Sequence, residues 1–431
     1  MSIHVVQPGE TVQSIADEYN ISVTSLIRDN DITNPDALVV GQTLVIVNPE
    51  QTYIIKEGDT LESIAGSFNI PVMQLLRNNP YITDFGYLPI GDTLVISYQT
   101  NGRIATNGYA IPNINKSILR KTLPYLTYLT LYNYRATREG EIVSYFDETE
   151  LIQIAKEYGV APLMLITTLT STGEANVETG YEILLNEDIQ DKHINKMIEI
   201  LNSMGYYGIN LSLQYLSIIN ETLYEAFIKR VSNRIHEAGF TVFLNINPRI
   251  SFEKNIIEFQ KINYSKITEP VEEVTFMNFV WASNLGPPSP VISYNNLSAF
   301  LDYADGLISP SKMNVGLQTF GYDWELPYVV GFTRANELTV NQATNLAYNE
   351  EVIIHFDEDS QTPFFEYISE DRYKPTTHIV WFIDARIIDS ILNLIESAGY
   401  NGISVWNIVD YYSALWLMIN SQYNIEKITN I

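Results

Sequence analysis

The chain has no cysteine, so disulfides and thiolate chemistry are excluded, and synthesis in a reducing compartment is expected. Unbroken apolar runs near 18 residues are also missing, which removes any predicted membrane-spanning helix. The opening "MSIHVVQPGE" carries neither a basic start nor an apolar stretch, so no secretory signal is expected. Basic residues are scarce: 25 against 51 acidic ones, a net charge of −26 over 431 residues. Residues 1–100 contribute −9 and the remainder −17, so the acidity is spread along the chain rather than confined to a tail. A protein that tracks phosphates needs the opposite sign, which argues against nucleic acid and anionic membranes as partners. The five histidines (4, 193, 236, 355, 378) are isolated, without zinc spacing, and no metal or other cofactor is expected. Phosphate-binding glycine loops, a dinucleotide fingerprint and a Gly-x-Ser-x-Gly elbow are likewise missing. "DED" at 357–359 lacks the glycine and spaced aspartates of a calcium loop.

What is present begins with a repeat. "IHVVQPGETVQSIADEYNISVTSLIRDNDI" at 3–32 returns as "YIIKEGDTLESIAGSFNIPVMQLLRNNPYI" at 53–82, with an offset of 49 that becomes 50 at "GQTLVI" and "GDTLVI". Each copy reads as strand, helix, helix, strand. Thr11 and Thr60 are the expected helix caps, and Ile15, Ala16, Tyr19 and Ile64, Ala65, Phe68 the apolar stripes.

After a polar linker at 99–105 the pattern becomes strands alternating with helices. Eight strands are predicted: 106–111, 126–134, 162–169, 207–215, 241–248, 273–281, 312–320 and 402–408. A helix over 187–204, closed by Gly205, separates two of them. Eight such units predict an α/β architecture, a (β/α)8 barrel over 106–431, with a small α+β subdomain inserted at about 321–380.

The repeats, at 1–48 and 51–98, resemble LysM modules. That resemblance implies binding of glycans containing N-acetylglucosamine, such as peptidoglycan or chitin. It places the sugar against Gly9, Glu10, Thr11, Asp31 and Ile32 in the first copy, and against Gly58, Asp59, Thr60, Tyr81 and Ile82 in the second. Two weak sites on one chain gain from effective concentration along a polymer.

The barrel is similar to family 18 glycoside hydrolases through "LTLYNYRATREGEI", "GYYGINLSLQYL", "NLGPPSPV", "GLQTFGYDWELPY" and "HIVWFIDARIIDSILNLIESAGYNGISVWNI", which occur in that order. The arrangement is that of the spore N-acetylglucosaminidases that degrade cortex peptidoglycan. In such enzymes the fourth strand bears D-G-x-[DN]-x-D-x-E. The final Glu protonates the leaving oxygen, and the Asp before it orients the substrate's own acetamido nucleophile, an exception to the two-carboxylate rule. Residues i and i+2 of a strand face the same way, so these side chains converge inside the barrel.

Here Tyr207 replaces the first Asp, Asn210 is an accepted variant, Ser212 replaces the second Asp and Gln214 the Glu. On the sixth strand, where relatives read M-T-Y-E-W, this chain has Met277, Asn278, Phe279, Val280 and Trp281. Ile383 stands for a further acidic residue, beside a retained Asp384 and Arg386. A carboxamide has the shape of the acid without its proton. The alternative carboxylates Asp147, Glu174 and Asp384 read as surface or structural acids. Trp406, Trp281, Asn278, Tyr322 and Trp324 are the expected sugar contacts in the barrel, by stacking for the aromatic ones.

Three readings follow from the resemblance. One is a spore-envelope protein, made in the mother-cell cytoplasm, that binds peptidoglycan through a barrel that has lost catalysis. The second is an active N-acetylglucosaminidase of germination, and the third a self-assembling coat protein whose partners are itself or other coat proteins.

Overall fold

The computed structural model describes residues 1–85, 87–169, 177–213, 216–248, 250–253, 256–277, 284–370 and 375–428. Both N-terminal repeats form the expected units. In the first, strands Ser2–Val5 and Thr43–Ile46 pair antiparallel around helices Val12–Tyr19 and Val23–Asp29. In the second, strands Gln51–Ile54 and Thr93–Ser97 frame helices Leu61–Phe68 and Val72–Asn78, with an extra short helix at Tyr81–Phe85.

Local chemistry explains these helices. Thr11 and Ser14, and Thr60 and Ser63, exchange side-chain and backbone hydrogen bonds as capping boxes. Asn20 and Asn69 end the helices in the left-handed conformation, where Asn is among the few tolerated side chains. Ile15, Ala16, Leu26 and Leu44 form one small core, and Ile64, Ala65, Leu75 and Leu94 the other.

Eight parallel strands then close into a barrel: Arg103–Ala110, Tyr128–Ala136, Ala161–Thr167, Gly208–Leu213, Thr241–Ile246, Glu273–Phe276, Met313–Gln318 and Gly402–Trp406. Closure is direct, because the first strand pairs with both the second and the eighth. All eight lie where the alternating pattern puts them. The first starts at Arg103, inside the stretch read as linker, so the connection from the second module is shorter than expected. Between the seventh and eighth barrel strands stands a five-stranded antiparallel sheet (Phe320–Leu326, Asn336–Thr339, His355–Asp357, Thr362–Glu370, Pro375–Trp381) with helix Val340–Asn349, the expected insertion. No helix among the described residues is long and apolar enough to cross a membrane.

The modules are docked on the barrel. Ile354 of the insertion donates its N–H to the Val40 carbonyl at 3.0 Å, and Arg386 reaches the Gly41 carbonyl at 3.5 Å. The second module is held by Arg77 to Asn420 (2.7 Å), Asn420 to Asn78 (2.9 Å) and the Tyr125 hydroxyl to the Arg77 carbonyl (2.6 Å).

Candidate functional site

The barrel interior is layered and largely uncharged. At mid-height, the Tyr109 hydroxyl donates to Asn245 Oδ1 at 2.6 Å and accepts from Asn210 Nδ2 at 2.9 Å, joining strands on opposite sides. Thr275 and Ser404 share a hydrogen bond of 2.9 Å at a similar level. Burial pushes the Tyr109 phenol up to about 12, against its amide partners, so it stays a neutral donor. Below lie Ala105, Tyr128, Ala161, Leu163 and Phe243. Tyr207, at the position of the family's first Asp, leans on that lower layer, with its ring 6.4 Å from Tyr128.

Toward the C-terminal mouth, where barrel enzymes place their chemistry, Tyr109, Leu165 and Met277 cluster with Tyr132 and Trp406. Trp406 is half-buried, its ring 5.6 Å from Tyr109 and 5.8 Å from Tyr132, edge-on to the latter. Ser212, half-buried, occupies the inward position after Asn210, level with Asn245. Two buried polar atoms in this interior, Asn210 Oδ1 and Gln318 Nε2, have no hydrogen-bond partner. One acceptor and one donor are thereby left for water or a polar ligand. Gln214, Asn278, Phe279, Val280, Trp281 and Glu174 lie outside the described residues.

Carboxylates are found elsewhere. Glu273 begins the sixth strand at the opposite end of the barrel from the mouth, accepting from Asn314 Nδ2 at 2.7 Å, with its carboxyl raised by burial. Asp147 is exposed and accepts from the Thr149 N–H and hydroxyl, which lower its pKa. Its neighbour Glu148, which the sequence reading passed over, is buried, but Asn133, Tyr134 and Tyr206 all donate to its oxygens. Asp384 caps helix Ala385–Ala398 and grips Arg386 at 2.6 Å beside the docked first module, so it is structural. Ile383 is fully buried.

Two expected stacking residues are corrected. Trp324 is fully buried, its indole N–H donating to the Gly286 carbonyl at 2.9 Å, and Tyr322 is buried against it with ring centroids 5.4 Å apart. Both rings serve the inserted sheet instead of facing a ligand.

In the modules, the expected groove residues separate. Gly58, Asp59, Thr60 and Ile82 line one groove of about 510 Å³ together with Leu76, Tyr87, Leu88, Ile90 and, from the barrel, Tyr158. Tyr81 does not join them. Its ring lies under the Arg28 guanidinium at 4.2 Å and its hydroxyl donates to the Thr93 carbonyl, so it ties the two modules together. In the first module Gly9, Thr11 and Asp31 are exposed, and Ile32 packs on the module core. Glu10 accepts from the Gln7 N–H and from His4, which together lower its pKa. Asp59 repeats this, accepting from the Lys56 N–H at 2.7 Å and the Tyr53 hydroxyl at 2.9 Å. These two acids therefore brace turns. His4, Glu10 and Glu18 offer ligand atoms within 4.8 Å of one another, but Glu10 and Tyr19 already engage both His4 ring nitrogens. Sequence reasoning missed Leu76, Tyr87, Ile90 and Tyr158. The loop before the closing strand pointed to the middle pair, and nothing local pointed to Tyr158.

Known proteins with the same arrangement can now be named. Residues 107–410 match the model for glycosyl hydrolases family 18, and 4–47 and 53–97 each match the LysM domain. The chain is 33% identical to the cortical fragment-lytic enzyme of Bacillus subtilis (strain 168) over 435 residues, covering all of both, and 30% identical to that of Bacillus anthracis over 99% of each. The crystal structure of the Bacillus megaterium spore cortex-lytic enzyme SleL superposes with a TM-score of 0.80 at 27% identity, covering 99% of each chain. The similarity runs through the barrel, its insertion and the paired modules, and the chain belongs to family 18 of the glycosyl hydrolases, in an arrangement that carries two LysM domains at its N-terminus.

Proposed function

We propose that this protein binds peptidoglycan, or another N-acetylglucosamine-containing glycan of the bacterial spore, without cleaving it. The observation that carries this reading is the pair Ser212 and Gln214, where the family motif has Asp and Glu. Neither side chain gives up a proton near neutral pH, and a missing general acid costs about 10²–10⁴-fold in rate. The neutral interior around Asn210, Tyr109, Asn245 and Ser212 supports it, since no described carboxylate at that level stands in. Trp406 remains half-open at the mouth, and the second module retains a groove. Spore location is supported by the names of the full-length relatives, the cortical fragment-lytic enzymes. Coat proteins or further copies of the chain are the remaining partners of this reading.

A second reading, hydrolysis of cortex fragments, is favoured by those same names and by similarity that runs the whole length of both chains. Purified cortex fragments incubated with the protein and analysed by mass spectrometry separate the two. Binding without new N-acetylglucosamine ends is expected for the native chain. Release of such ends at a rate typical of lytic enzymes would overturn the proposal. Ser212→Asp/Gln214→Glu is expected to regain measurable cleavage, and silence from that variant would transfer the cause to Asn278, Phe279, Val280 and Ile383.

A further inference from the structure

We propose that the glycan site of the second module is completed by the barrel: Tyr158 forms one wall of the groove whose other walls are the Gly58–Thr60 turn and the loop bearing Tyr87 and Ile90. The inference rests on the glycan-binding reading of the modules given above. It adds a residue outside both the repeats and the barrel mouth.

Tyr158 sits where helix Thr149–Glu157 ends and the chain turns back toward the third barrel strand. Its backbone is pinned: its N–H donates to the Ile154 carbonyl at 3.2 Å, Gly159 to Lys156 at 2.9 Å and Val160 to Ala155 at 2.9 Å. Gly159 takes a φ of +65°, the usual device for closing a helix. The side chain is half-buried and its hydroxyl is kept protonated by burial, so an uncharged aromatic surface is offered in a fixed place. The opposite wall is equally fixed, because Arg77 and Asn78 hold the module to Tyr125 and Asn420. A preformed slot spares a ligand the cost of ordering its walls.

The chemistry of the slot suits an amino sugar. Tyr87 and Ile90 are exposed, at 64% and 69% of their surface, and line the same groove as Tyr158, so apolar surface is open to a ligand there. With Tyr158 they give two aromatic rings and an aliphatic rim for sugar faces, while Lys56, Thr83 and the Gly58–Thr60 backbone supply polar partners at the edges. Among the described residues the first module has no such wall. Its equivalents of Tyr87 and Ile90 are Ala37 and Val40, and the Val40 carbonyl is taken by Ile354. The occupant that fits is an oligosaccharide of N-acetylglucosamine type, a few rings long.

The test is a titration of the full chain with the β-1,4-linked tetramer of N-acetylglucosamine, followed by amide NMR at Gly58–Thr60 for the second module and Gly9–Thr11 for the first. Tyr158→Leu, which keeps apolar bulk, is expected to weaken binding at Gly58–Thr60 about tenfold and to leave any response at Gly9–Thr11 unchanged. Tyr158→Phe is expected to bind as the native chain does. Native-like affinity at Gly58–Thr60 in Tyr158→Leu would overturn the proposal and leave the glycan reading standing. No response at either loop of the native chain would overturn the glycan reading itself, and the proposal with it.

Discussion

Asn30 in the first module and Asn79 in the second hold their folds by the same three bonds. Each amide oxygen accepts from the N–H of a valine, Val45 or Val95, and each amide nitrogen donates back to that valine's carbonyl and to Leu26 or Leu75. The helix caps and left-handed asparagines match as well. The loop before the closing strand does not. In the first module it presses on the barrel: a Cβ added at Gly41 would lie 2.0 Å from the Ile354 carbonyl oxygen. In the second, Gly91 adopts nearly the same φ, +91° against +89°, and a Cβ there would meet nothing within 4 Å. One duplicated fold has been used once as a fastening and once as an open groove. Interior bonds maintain the module, and the outer loop is where the copies have diverged.

The contrast is broken most directly at these glycines. Gly41→Ala and Gly91→Ala share the strain of a left-handed residue, but only the former collides with backbone. It is expected to be the less stable by about 1–3 kcal/mol and to release the first module from the barrel. Thermal unfolding and limited proteolysis near residues 48–51 would show it, and coincident melting of the two variants would refute the fastening role.

Next in size, Asn79→Ala strips partners from buried backbone groups, a loss of about 2 kcal/mol. Asn30→Ala removes the same bonds in a less buried setting and should cost less. Hydrogen exchange at Leu94 and Leu44 would compare them, and a larger loss at Leu44 would reverse the order.

The smallest effect concerns Asp29, whose counterpart is Asn78. Asp29 lines the seam between the modules and the barrel, and burial pushes its carboxyl up to about 7, with Arg28 pulling the other way. A raised carboxyl binds its proton more tightly folded than unfolded. Stability therefore falls as pH rises from about 4 to about 7, and the cost is complete above that. Asp29→Asn is expected to stabilise the chain at pH 8, by about 1 kcal/mol after solvent screening, and to change little at pH 4. Equal melting temperatures for native and variant at pH 8 would count against a raised Asp29 carboxyl.

Much of this molecule was legible because its elements are locally specified. Parallel barrel strands are apolar on both faces and announce themselves as runs between turn signals, so all eight intervals held a strand. The modules were legible through repetition. Less local features were not. Trp324 and a solvent-facing tryptophan at a strand end look alike in sequence, and only the insertion packed over it decides between them. Tyr81 is drawn from the groove by Arg28, 53 positions away. Tyr158 has no motif, since its part depends on where a separate module is fastened. Ser212 and Gln214 stood out only against the family pattern, because an amide on a strand is otherwise unremarked.

The fastening of both modules has a consequence for long glycans. A flexible tether would let a module's groove and the barrel mouth meet any pair of sugars within reach, with avidity set by the length of the tether. Here Ile354, Arg386 and Asn420 hold the modules in place, so the distance from the second module's groove to the barrel mouth is fixed. On the glycan-binding reading proposed above, such a molecule would act as a ruler, held best on strands that reach from the second module's groove to the barrel mouth.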